Sequence, residues 1–196
     1  MVKVGEYNLL KVLRSVDFGV YLDDGKDGIL LPKRFVPAGT KDADELKVFV
    51  YHDGEDRIIA TTQEPKGVLG DIVKLRTVSV TPQGAFLDWG LMKDIFVPKS
   101  KQQTTMIPQG EYLVKIYLDE QTGRIAATEK LEPFLSNDEL TVKELEVVDL
   151  IVYRRTDIGY VVIINNRHTG VLHFNEIYRN ITAGDKFKGF IKKIYP

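Results

Sequence analysis

The chain has 196 residues, which leaves room for about one to three small domains. Its formal net charge of −1 and pI of about 6.3 exclude a global basic field for nucleic acid or membranes, and the absence of cysteine excludes disulfides and thiolate metal sites. No apolar run reaches transmembrane length and no signal peptide opens the chain, so we expect a soluble cytoplasmic protein.

The first third of the chain is rich in short runs of branched and aromatic residues separated by turn residues. These runs predict five strands, at residues 5–15, 18–22, 29–31, 46–51 and 58–61. Pro32 cannot donate to a strand ladder, so it marks the end of the third strand, and the long connection after it has room for a short helical turn. Five short strands with one long connection between the third and fourth predict a Greek-key barrel of the OB type.

The same pattern occurs three times along the chain. In each copy a glycine stands fourteen residues after the opening residue, in the pairs Gly5 and Gly19, Gly70 and Gly84, and Leu145 and Gly159. The first two copies also end alike, in Arg57–Thr61 and Arg124–Thr128, which share the pattern Arg-Ile-x-Ala-Thr. Matching signatures in the same order indicate tandem repeats of one supersecondary unit.

The second and third copies differ in how they end. Pro133 and the polar cluster after it indicate a linker with a short helix capped near Ser136 or Asn137, in which Phe134 and Leu135 pack on a neighbouring barrel. The third copy has a fourth strand within 184–194, but the chain stops at Pro196 without the Arg-Ile-x-Ala strand. Because an unpaired strand edge is a liability, we expect a fragment, or another segment that fills the gap.

The fold class predicted from these patterns is all-β, with three tandem five-stranded Greek-key OB-fold barrels. We place them at residues 1–64, at 65–136 including the linker, and at 137–196, with the last strand of the third barrel missing.

Two stretches of sequence resemble known families. Gly159–Val162 followed by Thr169–Ile177 resembles the S-one RNA-binding domain, an OB-fold repeat, and residues 18–22 and 84–87 match its glycine-aromatic strand. More narrowly, residues 154–194 and the linker are similar to the conserved virulence factor B family, and that resemblance covers essentially the whole chain. In that family tandem S-one domains precede a C-terminal winged-helix domain, which has no counterpart here, so the resemblance implies a fragment of a virulence-type regulator of gene expression.

The resemblance also implies an RNA site. S-one domains hold single-stranded RNA on an exposed barrel face, where aromatic rings stack on bases and cations meet phosphates. The family motif has an aromatic before the strand-two glycine, another two after it, and a histidine on the next strand. The base-contacting residues implied on this pattern are Phe18, Tyr21, Phe86, Trp89, Tyr160 and His173. Leu31 and Val97 stand at the histidine position of the first two copies, so no copy carries the full motif.

Basic residues follow the third strand of the first two copies in matching positions. They are Lys33 and Arg34 in the first copy and Lys99 and Lys101 in the second. Phosphate contacts there are geometrically sensible, since affinity for phosphate depends on local clusters of cations. The alternative for these basic residues is that they are surface side chains without a binding role. The alternative for the aromatic residues is that they belong to the core, and Trp89 could equally pack between domains.

Patterns for catalysis are absent from the sequence. His52, His168 and His173 have no neighbouring metal ligands, and there is no Gly-rich phosphate loop or nucleophile elbow. We therefore expect no enzymatic activity, no metal and no cofactor.

Two hypotheses of different classes follow. The first is a cytoplasmic regulator whose tandem barrels bind one single-stranded RNA, with no membrane partner, so that weak sites add up through effective concentration. The second is a protein-interaction or structural array in which the RNA sites have degenerated.

Overall fold

The computed structural model describes all 196 residues, from Met1 to Pro196. Fourteen β-strands and four short 3-10 turns make up its regular structure. The strands form three successive sheets, which confirms the prediction of an all-β chain of tandem OB-type barrels. No helix in the structure has both the length and the apolar character needed to cross a membrane.

Barrel 1 contains the first five strands: β1 (Tyr7–Val16), β2 (Gly19–Leu22), β3 (Ile29–Pro32), β4 (Glu45–His52) and β5 (Ile58–Thr61). They form a closed barrel in the order β1-β2-β3-β5-β4. Strand β5 closes it by pairing antiparallel with β4 and parallel with β3. The inward side chains of Val12, Leu22 and Leu31 lie in its core, and a 3-10 turn at Lys33–Phe35 begins the long connection.

Barrel 2 repeats this arrangement with β6 (Ile72–Thr81), β7 (Gly84–Asp88), β8 (Ile95–Pro98), β9 (Glu111–Asp119) and β10 (Arg124–Thr128). The strand order is β10-β9-β6-β7-β8, and a 3-10 turn at Lys99–Lys101 follows β8. Strands β8 and β10 are the two ends of this sheet, and they lie side by side. We call the line between them the seam of barrel 2.

Barrel 3 has four strands, β11 (Val147–Arg155), β12 (Gly159–Ile164), β13 (His168–His173) and β14 (Lys186–Phe190), in the order β13-β12-β11-β14. The outer edges of β13 and β14 have no strand neighbour, so this unit has four strands where the other two have five. A cleft of about 960 Å³ lies between β13 and the residues that follow β14, and Leu150, Ile164 and Leu172 are among its lining residues.

The three barrels can be aligned residue by residue through a shared bulge. The first strand of each barrel is bulged at the same place, between Val12 and Arg14, between Thr77 and Ser79, and between Val152 and Arg154. A bulge bends its strand and increases the local twist. The residues opposite the end of each bulge on the second strand are Tyr21, Phe86 and Val161. These three positions are therefore structurally equivalent.

Barrels 1 and 2 share one hydrophobic core. Phe49 and Tyr51 project outward from β4 and join the core residues of barrel 2. Trp89, just after β7, stands edge-on to both rings, with centroids 5.6 Å from Phe49 and 6.4 Å from Tyr51. Its indole N–H donates a hydrogen bond of 2.6 Å to the carbonyl of Lys93, whose ammonium donates across the interface to the carbonyl of Asp53. The two barrels therefore pack as one unit.

Barrels 2 and 3 meet through a smaller buried cluster, consisting of Ile72, Leu131, Ile151 and Ile163. The linker has its 3-10 turn at Glu132–Phe134 rather than near Ser136. Leu135 packs against the cluster, and the ammonium of Lys115 lies 4.9 Å from the centroid of the Phe134 ring. Both linker residues therefore contact neighbouring barrels, as the sequence indicates.

Candidate nucleic-acid interface

The second and third strands of each barrel approach each other closely at one glycine. A methyl group on the α-carbon of Gly19, Gly84 or Gly159 would overlap a carbonyl oxygen on the third strand, that of the residue just before the glycine's pairing partner. Only glycine allows the hairpin to close at this distance, which explains why it recurs at the same place in all three copies. We call the outward side of these two strands the outer hairpin face.

The outer hairpin face of barrel 1 carries two aromatic rings and a cation. Phe18 is 57% exposed, and its ring meets Tyr21 edge to face with centroids 6.2 Å apart. Arg14 lies opposite Tyr21 on β1, with its guanidinium carbon 4.3 Å from the ring centroid. The sequence analysis missed Arg14 because plain alternation from the inward Val12 would place it on the inward side, whereas the bulge between the two residues turns it outward. The arrangement offers a π-surface and a positive charge together.

Barrel 2 carries a cross-strand aromatic pair at the equivalent place. Phe86 pairs with Phe96 across β7 and β8, and the ring centroids are 5.0 Å apart at 41°. Phe96 also lies over Gly84, where an added methyl group would be 2.7 Å from the ring. Sequence reasoning missed Phe96, but its position between the buried Ile95 and Val97 placed it on the outward side of the strand.

Barrel 3 has aliphatic residues at these positions, Val161 and Val171, which pair with each other across β12 and β13. Tyr160, which was predicted to contact RNA, is one residue earlier and therefore lies on the opposite side of its strand. Its ring packs against the core of barrel 3, and its hydroxyl donates to the carbonyl of Ile181 at 3.4 Å. The structure thus corrects the assignment of Tyr160 to the binding face.

His173 lies exposed on the outer hairpin face of barrel 3, where it pairs with Gly159. The residues that pair with the equivalent glycines in barrels 1 and 2 are Pro32 and Pro98. The sequence alignment placed Leu31 and Val97 there, but both are fully buried and point inward. The alignment was wrong by one residue, and a shift of one residue moves a strand position to the other face.

The predicted phosphate-contacting residues all lie on the 3-10 turns that follow the third strands. Lys33 and Arg34 are in the turn of barrel 1, and Lys99 and Lys101 are in the turn of barrel 2. All four side chains are exposed, and none forms an ion pair with a carboxylate. They are therefore free to contact an anionic ligand.

Trp89 was predicted as a base-contacting residue, and the structure overturns this assignment. It is only 3% exposed, because both barrels pack around its ring. A base cannot reach a ring that is enclosed in this way. The alternative interpretation of Trp89 as a packing residue between domains describes its position.

These observations define the chain as a tandem array of OB-class barrels, two of which carry aromatic and basic residues on the outer hairpin face. Residues 4–63, which span barrel 1, match the family described as the S1 domain, the S-one domain of the sequence resemblance. The narrower resemblance to the conserved virulence factor B family stays a prediction.

Two similar proteins extend over nearly the whole chain. The uncharacterized protein YitL of Bacillus subtilis (strain 168) is 27% identical over 200 residues, which cover 97% of this chain and 66% of that protein. This chain thus spans slightly less than two thirds of the relative's length. A solved structure from Streptococcus pneumoniae TIGR4, described as a multidomain protein with nucleic acid binding domains, superposes with a TM-score of 0.57. That match has 18% identity and covers 96% of this chain and 69% of the other, so it shows the shared fold.

Proposed function

We propose that this chain binds single-stranded RNA along the outer hairpin faces of barrels 1 and 2, and that it acts in post-transcriptional gene regulation. One observation carries the proposal. The same outward position holds Tyr21 in barrel 1 and Phe86 in barrel 2, each on a face with a second aromatic ring and followed by a turn with unpaired cations. Rings on such a face stack on bases of any identity, while nearby cations meet phosphates.

The similarities to known proteins support nucleic-acid binding in general. Barrel 1 matches the S1 domain, and the similar pneumococcal protein is described as having nucleic acid binding domains. The shared core of barrels 1 and 2 holds their two faces in a fixed relation, so one strand that reaches both gains affinity through effective concentration. The proposed activity is binding, without a catalytic step.

A second function is favoured for barrel 3 by a specific observation. Where barrels 1 and 2 carry rings, its outer hairpin face carries aliphatic residues, with Ile158 58% exposed and Val171 46% exposed, and His173 is the aromatic side chain that remains on this face. Aliphatic side chains bury well against protein but offer no π-surface to a base. We therefore propose protein contact as the alternative role for this barrel, in line with the interaction-array hypothesis.

Loss of either stacking ring tests the proposal directly. We expect Tyr21→Ala and Phe86→Ala each to weaken binding of oligouridylate, an unstructured single-stranded RNA, by about 1–3 kcal/mol. Fluorescence anisotropy measures the affinity, and a denaturant titration shows whether the fold is intact. Met92→Ala is a control, because Met92 is an exposed apolar side chain in the loop between β7 and β8, outside the strands that form the outer hairpin face. Unchanged affinity in both aromatic variants would leave the interaction array as the better description.

The cations are expected to act through salt-dependent contacts. Lys99→Ala and Lys101→Ala should each reduce the slope of log K against log salt concentration by about 0.7, since each phosphate contact to a single strand releases counterions. Binding titrations at several salt concentrations measure the slope. Lys188→Ala, which removes an exposed lysine paired with Asp149 on barrel 3, should leave it unchanged. Equal slopes in all three variants and the unmodified chain would contradict the assignment of phosphate contacts to this turn.

A further inference from the structure

The outward surface of barrel 2 carries a row of side chains that continues past the hairpin. Phe86 pairs with Phe96 across β7 and β8, and Ala126 pairs with Tyr117 across β10 and β9. The neighbours of Ala126 and Tyr117 in sequence, Ala127 and Ile116, are fully buried in the core. Because side chains alternate along a strand, Ala126 and Tyr117 face outward, as the two phenylalanines do.

The two halves of this row meet at the seam between β8 and β10. In barrel 1 the corresponding strands pair at Leu30 and Ile59. Leu30 corresponds to Phe96, and Ile59 corresponds to Ala126 in the repeated Arg-Ile-x-Ala pattern. The order across barrel 2 is therefore Phe86, Phe96, Ala126 and Tyr117. We call this set the aromatic row.

Barrel 1 cannot extend its own row in this way. Its counterpart of Tyr117 is Tyr51, which pairs with Ile59 as Tyr117 pairs with Ala126. Tyr51 is buried in the core shared with barrel 2, whereas Tyr117 is only partly buried. The docking of the two barrels therefore buries the end of one row and leaves the end of the other partly exposed.

The end of the aromatic row has one cation beside it, with two acids nearby. The ammonium of Lys101 lies 5.9 Å from the centroid of the Tyr117 ring. The carboxylate of Glu129 accepts hydrogen bonds from the backbone N–H groups of Gln103 and Thr104, and the carboxylate of Asp119 accepts one from the N–H of Gln121. Backbone donors hold both acids in place, so neither forms an ion pair with Lys101. Partial burial, with a smaller contribution from Asp119, raises the pKa of the Tyr117 phenol, so the ring stays neutral.

We propose that Tyr117 is a further base-stacking position of barrel 2, and that single-stranded RNA crosses the seam from Phe86 and Phe96 to Tyr117, where Lys101 meets a phosphate. The inference rests on the proposed RNA binding and adds the direction that the strand takes over the barrel. Ala126, which stands between Phe96 and Tyr117 in the row, is only 7% exposed, so it would lie beneath a bound strand while the rings on either side contact its bases. A row of rings separated in this way suits successive unstacked bases.

The test uses the full chain and oligouridylates of increasing length. Tyr117→Ala should weaken binding on the order of 10-fold for oligomers long enough to cross the seam, and should leave binding of the shortest oligomers unchanged. Tyr117→Phe keeps the ring and should bind as the unmodified chain does, because the phenol makes no hydrogen bond. Leu118→Ala is the matched control on the same strand, since Leu118 is exposed but points to the other side.

Each outcome decides the inference. If Phe86→Ala weakens binding while Tyr117→Ala binds all lengths normally, the strand does not cross the seam, and the inference fails while the proposed function stands. If the unmodified chain binds no oligouridylate, the proposed function and the inference fail together. If Tyr117→Phe is as weak as Tyr117→Ala, the hydroxyl rather than the ring matters, and stacking at this position is overturned.

Discussion

Replacing Trp89 by alanine is expected to lower the free energy of unfolding by about 3–5 kcal/mol, the range for loss of a large buried aromatic side chain. The reason is its place between two barrels, where its ring contacts Phe49 and Tyr51 and its N–H is bonded to the Lys93 carbonyl. The cavity would open in the core that barrels 1 and 2 share. Denaturant unfolding followed by far-ultraviolet circular dichroism measures the change without depending on tryptophan emission.

Two variants separate this effect from general loss of an aromatic ring. Trp89→Phe keeps a ring between Phe49 and Tyr51 but loses the hydrogen bond to Lys93, so a smaller loss is expected. Phe18→Ala removes an exposed ring from the same pair of barrels and should leave the midpoint of unfolding unchanged. A Trp89→Ala chain as stable as the unmodified one would show that the two barrels do not share a core in solution.

Leu131→Ala is expected to cost about 2–5 kcal/mol, concentrated at the junction between barrels 2 and 3. Leu131 is 1% exposed and is the linker's contribution to a cluster with Ile72, Ile151 and Ile163. This cluster has four buried residues, against fourteen in the core between barrels 1 and 2, so a single truncation removes a larger part of it. We expect barrel 3 to undock first, with faster proteolysis of the linker between 131 and 146 than in the unmodified chain.

Phe134→Ala provides the control for the linker. Phe134 is exposed on one side and is held by the Lys115 ammonium over its ring, a contact worth about 0.5–1 kcal/mol at an exposed site. The expected loss of stability is correspondingly small. If the two linker variants are cut by protease at the same rate, the buried cluster does not hold barrel 3 in place.

The candidate site shows which parts of such a surface local sequence patterns can locate. Tyr21 and Phe86 lie on the outer hairpin face because a fixed spacing from the glycine fixes both their strand and their side, and Phe18 lies in the turn just before β2. Tyr160 was wrongly assigned to this face, because it stands one residue before the equivalent position, Val161, and its side chain therefore points to the core of barrel 3. Phe96 was missed, although its alternation with Ile95 and Val97 carried the signal.

Local patterns in the sequence are sufficient to predict the repeated unit, its strand order and the positions of the tight hairpins. These features depend on short-range causes: alternation of apolar residues, turn residues, and a glycine that a facing carbonyl oxygen leaves no room to replace. The repetition of one unit then fixed the fold of the second and third copies from that of the first.

Which outward-facing aromatics are accessible depends on how the barrels pack on one another. Tyr51 and Tyr117 hold equivalent positions on equivalent strands, yet one is buried between barrels and the other is partly open. Trp89 likewise becomes a core residue because barrel 1 packs against it. Periodicity within a strand sets which side of the sheet a residue faces, but the packing of one barrel on another joins residues far apart in the chain, and that contact decides whether the side remains free to bind.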